Sequence, residues 1–202
     1  MEGIAGIISE LHHLDQNITL AINSWHSPLS DAVWMFFSNR EIWIPFYLLL
    51  TVLLFVRLGW KKGLIVFLSV VLTVAACDQF SNLLKNSVGR LRPVWDTYML
   101  QGGLRRLEGR GNFYGFFSAH AANSIGVAMA VVKGFRNGDK SRSYNTLAWI
   151  MFVWAALVGI SRIFVGKHFL GDVIVGFSVG LLFGWIFARI AGWIIDKYSL
   201  HL

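Results

Sequence analysis

The sequence predicts an all-α fold: a polytopic integral-membrane helix bundle with about five transmembrane helices, or six if the N-terminal segment also spans, plus N-terminal amphipathic helices. Three observations carry that prediction. Of 202 residues, 55% are hydrophobic and 14% charged, with a mean hydropathy of +0.57, which is too apolar for an ordinary soluble domain and too short for several. Five apolar runs recur along the chain, and a bilayer core about 30 Å thick needs about 20 apolar residues in a helix. Trp25, Trp43, Trp60 and Trp149 fall near the expected ends of these runs, as an aromatic belt would place them. We read a single domain, residues 1–202, in which 1–40 is an interfacial segment and 85–172 carries the chemistry.

Taken in order, Ile4–Phe37 mixes apolar residues with Glu10, His12, His13, Asp15, Gln16, Asn17 and Asp31, a pattern suited to amphipathic helices lying at the interface. The alternative for this segment is a sixth, polar span. The apolar runs follow at Ile42–Val56, Gly63–Leu84, Phe117–Val132, Leu147–Val165 and Leu170–Ile195. The first and third are short unless their flanks extend them. The opening Met1-Glu2-Gly3-Ile4 lacks a basic start and a long apolar stretch, so no cleavable signal peptide is expected. The single cysteine, Cys77, lies inside an apolar run, which rules out an intramolecular disulfide and marks it as a small core residue.

The formal net charge of +7 does not read as a nucleic-acid surface, because the cations are split between short loops and three clusters without a basic tail. A phosphate-bearing lipid is the more natural anionic partner. Arg57, Lys61, Lys62, Lys133, Arg136, Lys140, Arg142 and Lys197 share the end away from the clusters and argue for a cytoplasmic face there. The tail before Arg40 carries Glu2, Glu10, Asp15 and Asp31 without a basic residue, so the clusters are expected to face outward.

Each cluster sits at the end of an apolar run, and the ends alternate so that all three meet on one side. Lys85 and Arg92 are seven residues apart, about two turns, so a continuing helix puts both on one face, with Pro93 helping to end it. An ammonium beside a guanidinium suits a phosphate; the bland reading is a pair of snorkelling interfacial cations. Ser118, Ala119 and His120 come where the chain turns into the third run, where free backbone amides favour an anion. A lone histidine there is more often packed or solvated than catalytic. His168 and Asp172 are an i, i+4 pair, which on a helix lets the carboxylate hold the ring, as an activated nucleophile or base needs. Arg162 is expected in the turn after the fourth run, within reach of a phosphate beside His168. The Gly-rich connection with Arg90, Arg105, Arg106 and Arg110 reads as a solvated loop, or else as a lid or headgroup site.

Together the clusters resemble the three-part signature of the type 2 phosphatidic acid phosphatase family: Lys-x6-Arg-Pro, Pro-Ser-Gly-His and Ser-Arg-x5-His-x3-Asp. The first and third parts match at every specified position, from Lys85 to Pro93 and from Ser161 to Asp172. In the second, Phe117 stands for proline and Ala119 for glycine, while Ser118 and His120 remain. The resemblance implies a metal-independent lipid phosphatase, without cofactor, that works through a phosphohistidine. His168 would be the nucleophile oriented by Asp172, and His120 would protonate the leaving oxygen and then activate water. Lys85, Arg92, Ser118, Ala119 and Arg162 would hold the phosphate. No cluster with metal-ligand spacing is seen in the sequence.

The expected setting is a bacterial inner membrane crossed several times, with the site facing the periplasm. Undecaprenyl pyrophosphate, phosphatidylglycerol phosphate and a phosphate of lipid A are the expected substrates. The competing readings are a catalytically silent relative that binds or flips phospholipid and an anion transporter. A haloperoxidase is disfavoured by so apolar and short a chain.

Overall fold

Inside a bilayer the backbone has no water to bond, so an apolar run closes its own amides as a helix. The computed structural model describes residues 2–198, and every long element in it is helical. Met1 and residues 199–202, the ends of the expected 1–202 domain, lie outside the described residues, as do the side chains of residues 2–5, which include the opening Glu2-Gly3-Ile4.

Helix α1 spans Glu2–Asn23 and α2 spans Pro28–Ser38, the second opened by a reciprocal cap between Ser27 and Ser30 with Pro28 in the first turn. The polarity of α1 is inverted relative to a soluble helix. Its polar Gln16, Thr19 and Asn23 are buried against the protein, while Ile7, Ile8, Leu11 and Leu14 are exposed. That is the pattern of a helix whose outer face meets lipid.

A 3-10 turn, Arg40–Trp43, leads into α3, Ile44–Val88. Gly59, with φ of 74°, interrupts it, a backbone state open to glycine because it lacks a Cβ. The two arms fold back on each other: Tyr47, Leu50 and Leu54 of the first share a groove with Asp78, Val74 and Val70 of the second. These arms are the expected runs Ile42–Val56 and Gly63–Leu84. The second ends at Gly89, whose φ of 64° lets its N–H return to Lys85 O at 3.1 Å. A short α4, Thr97–Gln101, precedes α5, Ala119–Gly138; α6, Asn145–Phe164, and α7, Leu170–Tyr198, complete the bundle. Among the described residues, three helical stretches are long and apolar enough to cross a membrane: Arg40–Val88, Asn145–Phe164 and Leu170–Tyr198.

Helix α5 is the hub, packed against α3, α6 and α7. Lipid tails are as apolar as leucine, so close backbone approach rather than water exclusion holds such helices together. Gly176, Gly180 and Gly184 line one face of α7 at four-residue spacing. A Cβ at Gly180 would fall 2.1 Å from Ala122 O of α5, and one at Gly184 would fall 2.7 Å from Gly126 O. Cys77 is fully buried beside Phe117 and Ala122, as expected of a small core residue. All of this delivers the α3 end, the α5 start and the α6–α7 turn to one end of the bundle.

Candidate active site

A cavity of about 270 Å³ opens at that end, lined by Lys85, Arg92, Ala119, His120, Arg162 and His168 together with Ser38, Arg40, Tyr47, Asp78 and Asn123. Residues from all three clusters therefore meet in one place. They do so through local structure that differs in three respects from the expectation.

First, Lys85 and Arg92 do not share a helix. Gly89 ends α3, and Arg92 sits on an extended connection where Leu91 bridges Tyr114; its N–H bonds Phe113 O at 2.8 Å and its Nε bonds Tyr114 O at 3.1 Å. Second, Arg162 lies within the last turn of α6 rather than in the turn after it. Its guanidinium donates to the carbonyl and hydroxyl of Ser38, while its buried Nε has no partner among the described residues. Third, His168 precedes α7 instead of lying on it, yet the pair with Asp172 forms. Nδ1 of His168 meets Asp172 Oδ2 at 3.3 Å, and the same oxygen accepts the N–H of Phe169 at 3.2 Å, so Asp172 both caps the helix and orients the ring. Nε2 of His168 is left for the cavity.

His168 is almost fully buried, and Lys85, Arg92, Arg162 and Lys167 surround it. Burial first and these cations second hold its imidazole well below the ordinary histidine value, so the ring is the neutral, nucleophilic form at neutral pH. His120, in the first turn of α5, faces it across the cavity and makes no side-chain hydrogen bond among the described residues.

Ser118 occupies the N-cap of α5, its Oγ accepting the N–H of Ala121 at 3.4 Å, and it does not line the cavity. Ala119 does line it. Phe117 is fully buried, with its carbonyl accepting from Ser81 Oγ at 3.3 Å, so the residue in place of proline is held by packing and one hydrogen bond.

The arginine connection is only partly the solvated loop expected. Arg90 is largely buried and bridges two helices, bonding Asp172 Oδ1 at 2.8 Å and Asp15 Oδ2 at 2.6 Å. A carboxylate as buried as Asp172 would cost several kcal/mol without a cation to meet it. Arg105 pairs with Asp31 at 2.6 and 2.8 Å. Arg106 and Arg110 are exposed, the latter 4.7 Å over the ring of Trp95. Glu108 of the same connection reaches the cavity edge, where its carboxylate accepts from Ser38 and lies 3.4 Å from Arg162 and 3.8 Å from Lys167. Arg90 and Glu108 carried one legible signal, a charge among glycines beside a cluster. Ser38, Asp78 and Asn123 carried none, because nothing local ties them to the clusters.

Among the described residues no group of three or more His, Cys, Asp or Glu is placed to hold a metal ion. What the cavity offers is a cationic cradle, two imidazoles facing one volume, and a carboxylate behind one of them. An apolar groove of about 590 Å³ runs on from it between the arms of α3 and along α5, sharing Arg40, Tyr47, Asp78 and Asn123 with the cavity.

Residues 62–196 match the PAP2 superfamily. A lipid A 4'-phosphatase of Bacteroides thetaiotaomicron is 32% identical over 187 residues, covering 92% of this chain and 80% of that protein. A second, from Porphyromonas gingivalis, is 31% identical over 172 residues, covering 85% of this chain and 70% of its own. The fold is similar to that of the crystal structure of a transmembrane PAP2-type phosphatidylglycerolphosphate phosphatase from Bacillus subtilis, with a TM-score of 0.72 and 22% identity over 90% of this chain and 86% of the other. It is also similar to LpxE of Aquifex aeolicus, with a TM-score of 0.62 and 22% identity over 86% of this chain and 93% of the other.

Proposed function

This chain belongs to the PAP2 superfamily and is a membrane lipid phosphatase, and from that premise we propose that it hydrolyses a phosphate monoester of a lipid A-type saccharolipid through a phosphohistidine on His168. The single observation that carries the mechanism is the shared cavity: His168 backed by Asp172, His120 opposite, and Lys85, Arg92 and Arg162 around the same volume.

In the first step Nε2 of His168 attacks phosphorus and the bond from phosphorus to the lipid oxygen breaks, with His120 delivering a proton to that oxygen. In the second, His120 takes a proton from water, the water oxygen attacks phosphorus, and the bond from phosphorus to His168 breaks. Lipid alcohol and inorganic phosphate leave, and both histidines return to their starting state. The cations offset the charge carried by the transferring phosphoryl group, which is worth about 3 kcal/mol for a well-placed donor. Ser118 supports this indirectly by capping α5, which fixes where Ala119 and His120 sit.

The substrate reading rests on the named activity of the two curated relatives and on the shape beside the cradle. The apolar groove suits an acyl chain. At its neck Asn123 Nδ2 donates to Asp78 Oδ1 at 2.8 Å, an acceptor-rich pair suited to hydroxyls or amides on a headgroup between phosphate and tail. A polyprenyl pyrophosphate has no such donor there, and phosphatidylglycerol phosphate has fewer than a sugar. The domain is a single unit set in a bacterial inner membrane. The basic residues at the far end, where Lys62 reaches Gly138 O and Lys140 pairs with Asp196, support a cytoplasmic side there and a periplasmic site.

The test is phosphate release by purified protein in micelles containing chelator, across lipid A, undecaprenyl pyrophosphate, phosphatidylglycerol phosphate and phosphatidic acid. Release that ranks lipid A first supports the reading; release led by another lipid moves the substrate and keeps the chemistry. Binding without release by folded protein would point to a silent lipid-binding relative.

A further inference from the structure

We infer that helix α1 is a positioning element of the active site, its Asp15, Thr19 and Asn23 clamping from outside the turn that carries His168. The inference rests on the proposed role of His168 and concerns a segment that lies outside the three clusters and before the residues that match the family.

The physical starting point is that every helix leaves its first amides and last carbonyls unpaired, and that a short turn between two helices exposes both sets at once. The turn from α6 to α7, residues 165–169, has this problem in the most buried part of the site. Its solution comes largely from α1. The first amides of α7 are met there: Leu170 N–H donates to Thr19 Oγ1 at 3.0 Å, and Gly171 N–H donates to Asp15 Oδ1 at 2.9 Å. The last carbonyls of α6 are met one turn further along α1, where Asn23 Nδ2 donates to Ile163 O and Phe164 O, each at 3.0 Å. Asn23 also exchanges two bonds with the backbone of Arg105, at 2.8 and 3.1 Å, which ties in the long connection.

Asp15, Thr19 and Asn23 are spaced i, i+4, i+8, so they form one stripe on α1 and grip the turn on both sides of His168. Asp15 does a second task with its other oxygen, which accepts from Arg90, the residue that also holds Asp172. The chain of contacts Asp15–Arg90–Asp172–His168 therefore runs from the membrane-lying helix to the imidazole. Thr19 and Asn23 are buried and could not bond water instead. Ile7, Leu11 and Leu14, in the turns of α1 before Asp15, are exposed and free to sit in lipid.

The experiment uses the full chain in micelles or vesicles, with Asp15→Asn, Thr19→Val, Asn23→Ala and, as controls, Thr19→Ser and Leu11→Ala. The clamp predicts that kcat falls by about 10- to 100-fold in the first three while KM stays within about twofold, since a small misplacement of a reacting group costs that much. Thr19→Ser restores turnover and Leu11→Ala leaves it unchanged. Backbone amide exchange supplies a second reading that needs no turnover: Leu170 exchanges about fivefold faster or more in Thr19→Val, which removes its acceptor. Variants that elute and melt like the wild type yet keep its kcat overturn the inference, as does a rise in KM at constant kcat. Unchanged exchange at Leu170 in Thr19→Val also overturns it, and that arm decides even if the wild type releases no phosphate. Absence of release from the wild type defeats the proposed function instead.

Discussion

Two segments border the same cavity and are held in opposite ways. Residues 165–169, which carry Lys167 and His168, are buried throughout and bonded on both sides by α1 and α6. Residues 102–113, which carry Glu108, Arg106 and Arg110, are largely exposed and rest on a few side-chain contacts such as Arg105 with Asp31. The first arrangement suits the proposed nucleophile, whose chemistry requires that the reacting atom be held within a fraction of an ångström. The second tolerates movement, which suits admission and release of an anion and contact with a variable headgroup. A site that divides its labour this way should respond to mutation by kind as well as by degree: changes behind the turn should lower kcat, and changes in the connection should alter binding.

The largest effect expected is from His168→Ala, which should lower phosphate release by about ten-thousand-fold while the protein still folds, and should abolish acid-quenched labelling of the enzyme by radioactive phosphate. Residual labelling would move the nucleophile elsewhere. Arg90→Lys keeps the charge but loses the fork that bridges Asp15 and Asp172; kcat should fall about tenfold with KM little changed. A selective rise in KM would instead place Arg90 with the substrate. For Glu108→Gln the expected change is in binding. Removing a carboxylate that competes for Arg162 and Lys167 should let inorganic phosphate inhibit about three- to tenfold more tightly, and weaker inhibition would refute that competition.

The pH profile sharpens the comparison from the other side. Burial and the four cations around His168 disfavour its protonated form, so the neutral ring persists as pH falls. The acid limb of kcat/KM should then lie below the ordinary histidine value of about 6.5, and a limb above it would mean that the ring is charged in the free enzyme. The smallest effect belongs to Arg106→Ala with Arg110→Ala. Both residues are exposed, so KM should rise about two- to threefold at low salt, with kcat intact and the difference erased at high salt.

Much of this was legible in the sequence. Helix formation by the apolar runs follows from what a bilayer does to an unpaired amide, and both arms of α3 appear where the runs Ile42–Val56 and Gly63–Leu84 place them. The meeting of Lys85, Arg92, His120, Arg162 and His168 followed from spacing and from the alternation of helix ends. Errors of detail came where a local rule was extended too far. Seven residues between Lys85 and Arg92 suggested one helical face, but Gly89 ends the helix first. The i, i+4 spacing of His168 and Asp172 predicts a shared helix, whereas Asp172 meets the ring by capping α7 from its first turn. From sequence Arg90 groups with the solvated cations, because its two carboxylates lie 75 and 82 residues away in the chain.

By itself, then, the sequence determined the helical class, the membrane setting, the cationic cradle and the two histidines, because hydropathy and short-range spacing act within a few turns of one chain segment. Only the tertiary structure decided that α1 turns its polar stripe inward, that Arg90 serves Asp172, that Ser118 caps instead of lining the cavity, and that Glu108 reaches Arg162. Each of these is a hydrogen bond or ion pair between segments that are far apart in sequence. Such pairings depend on which helix faces which, and in this bundle that is set by the close approach of Gly176, Gly180 and Gly184 to α5.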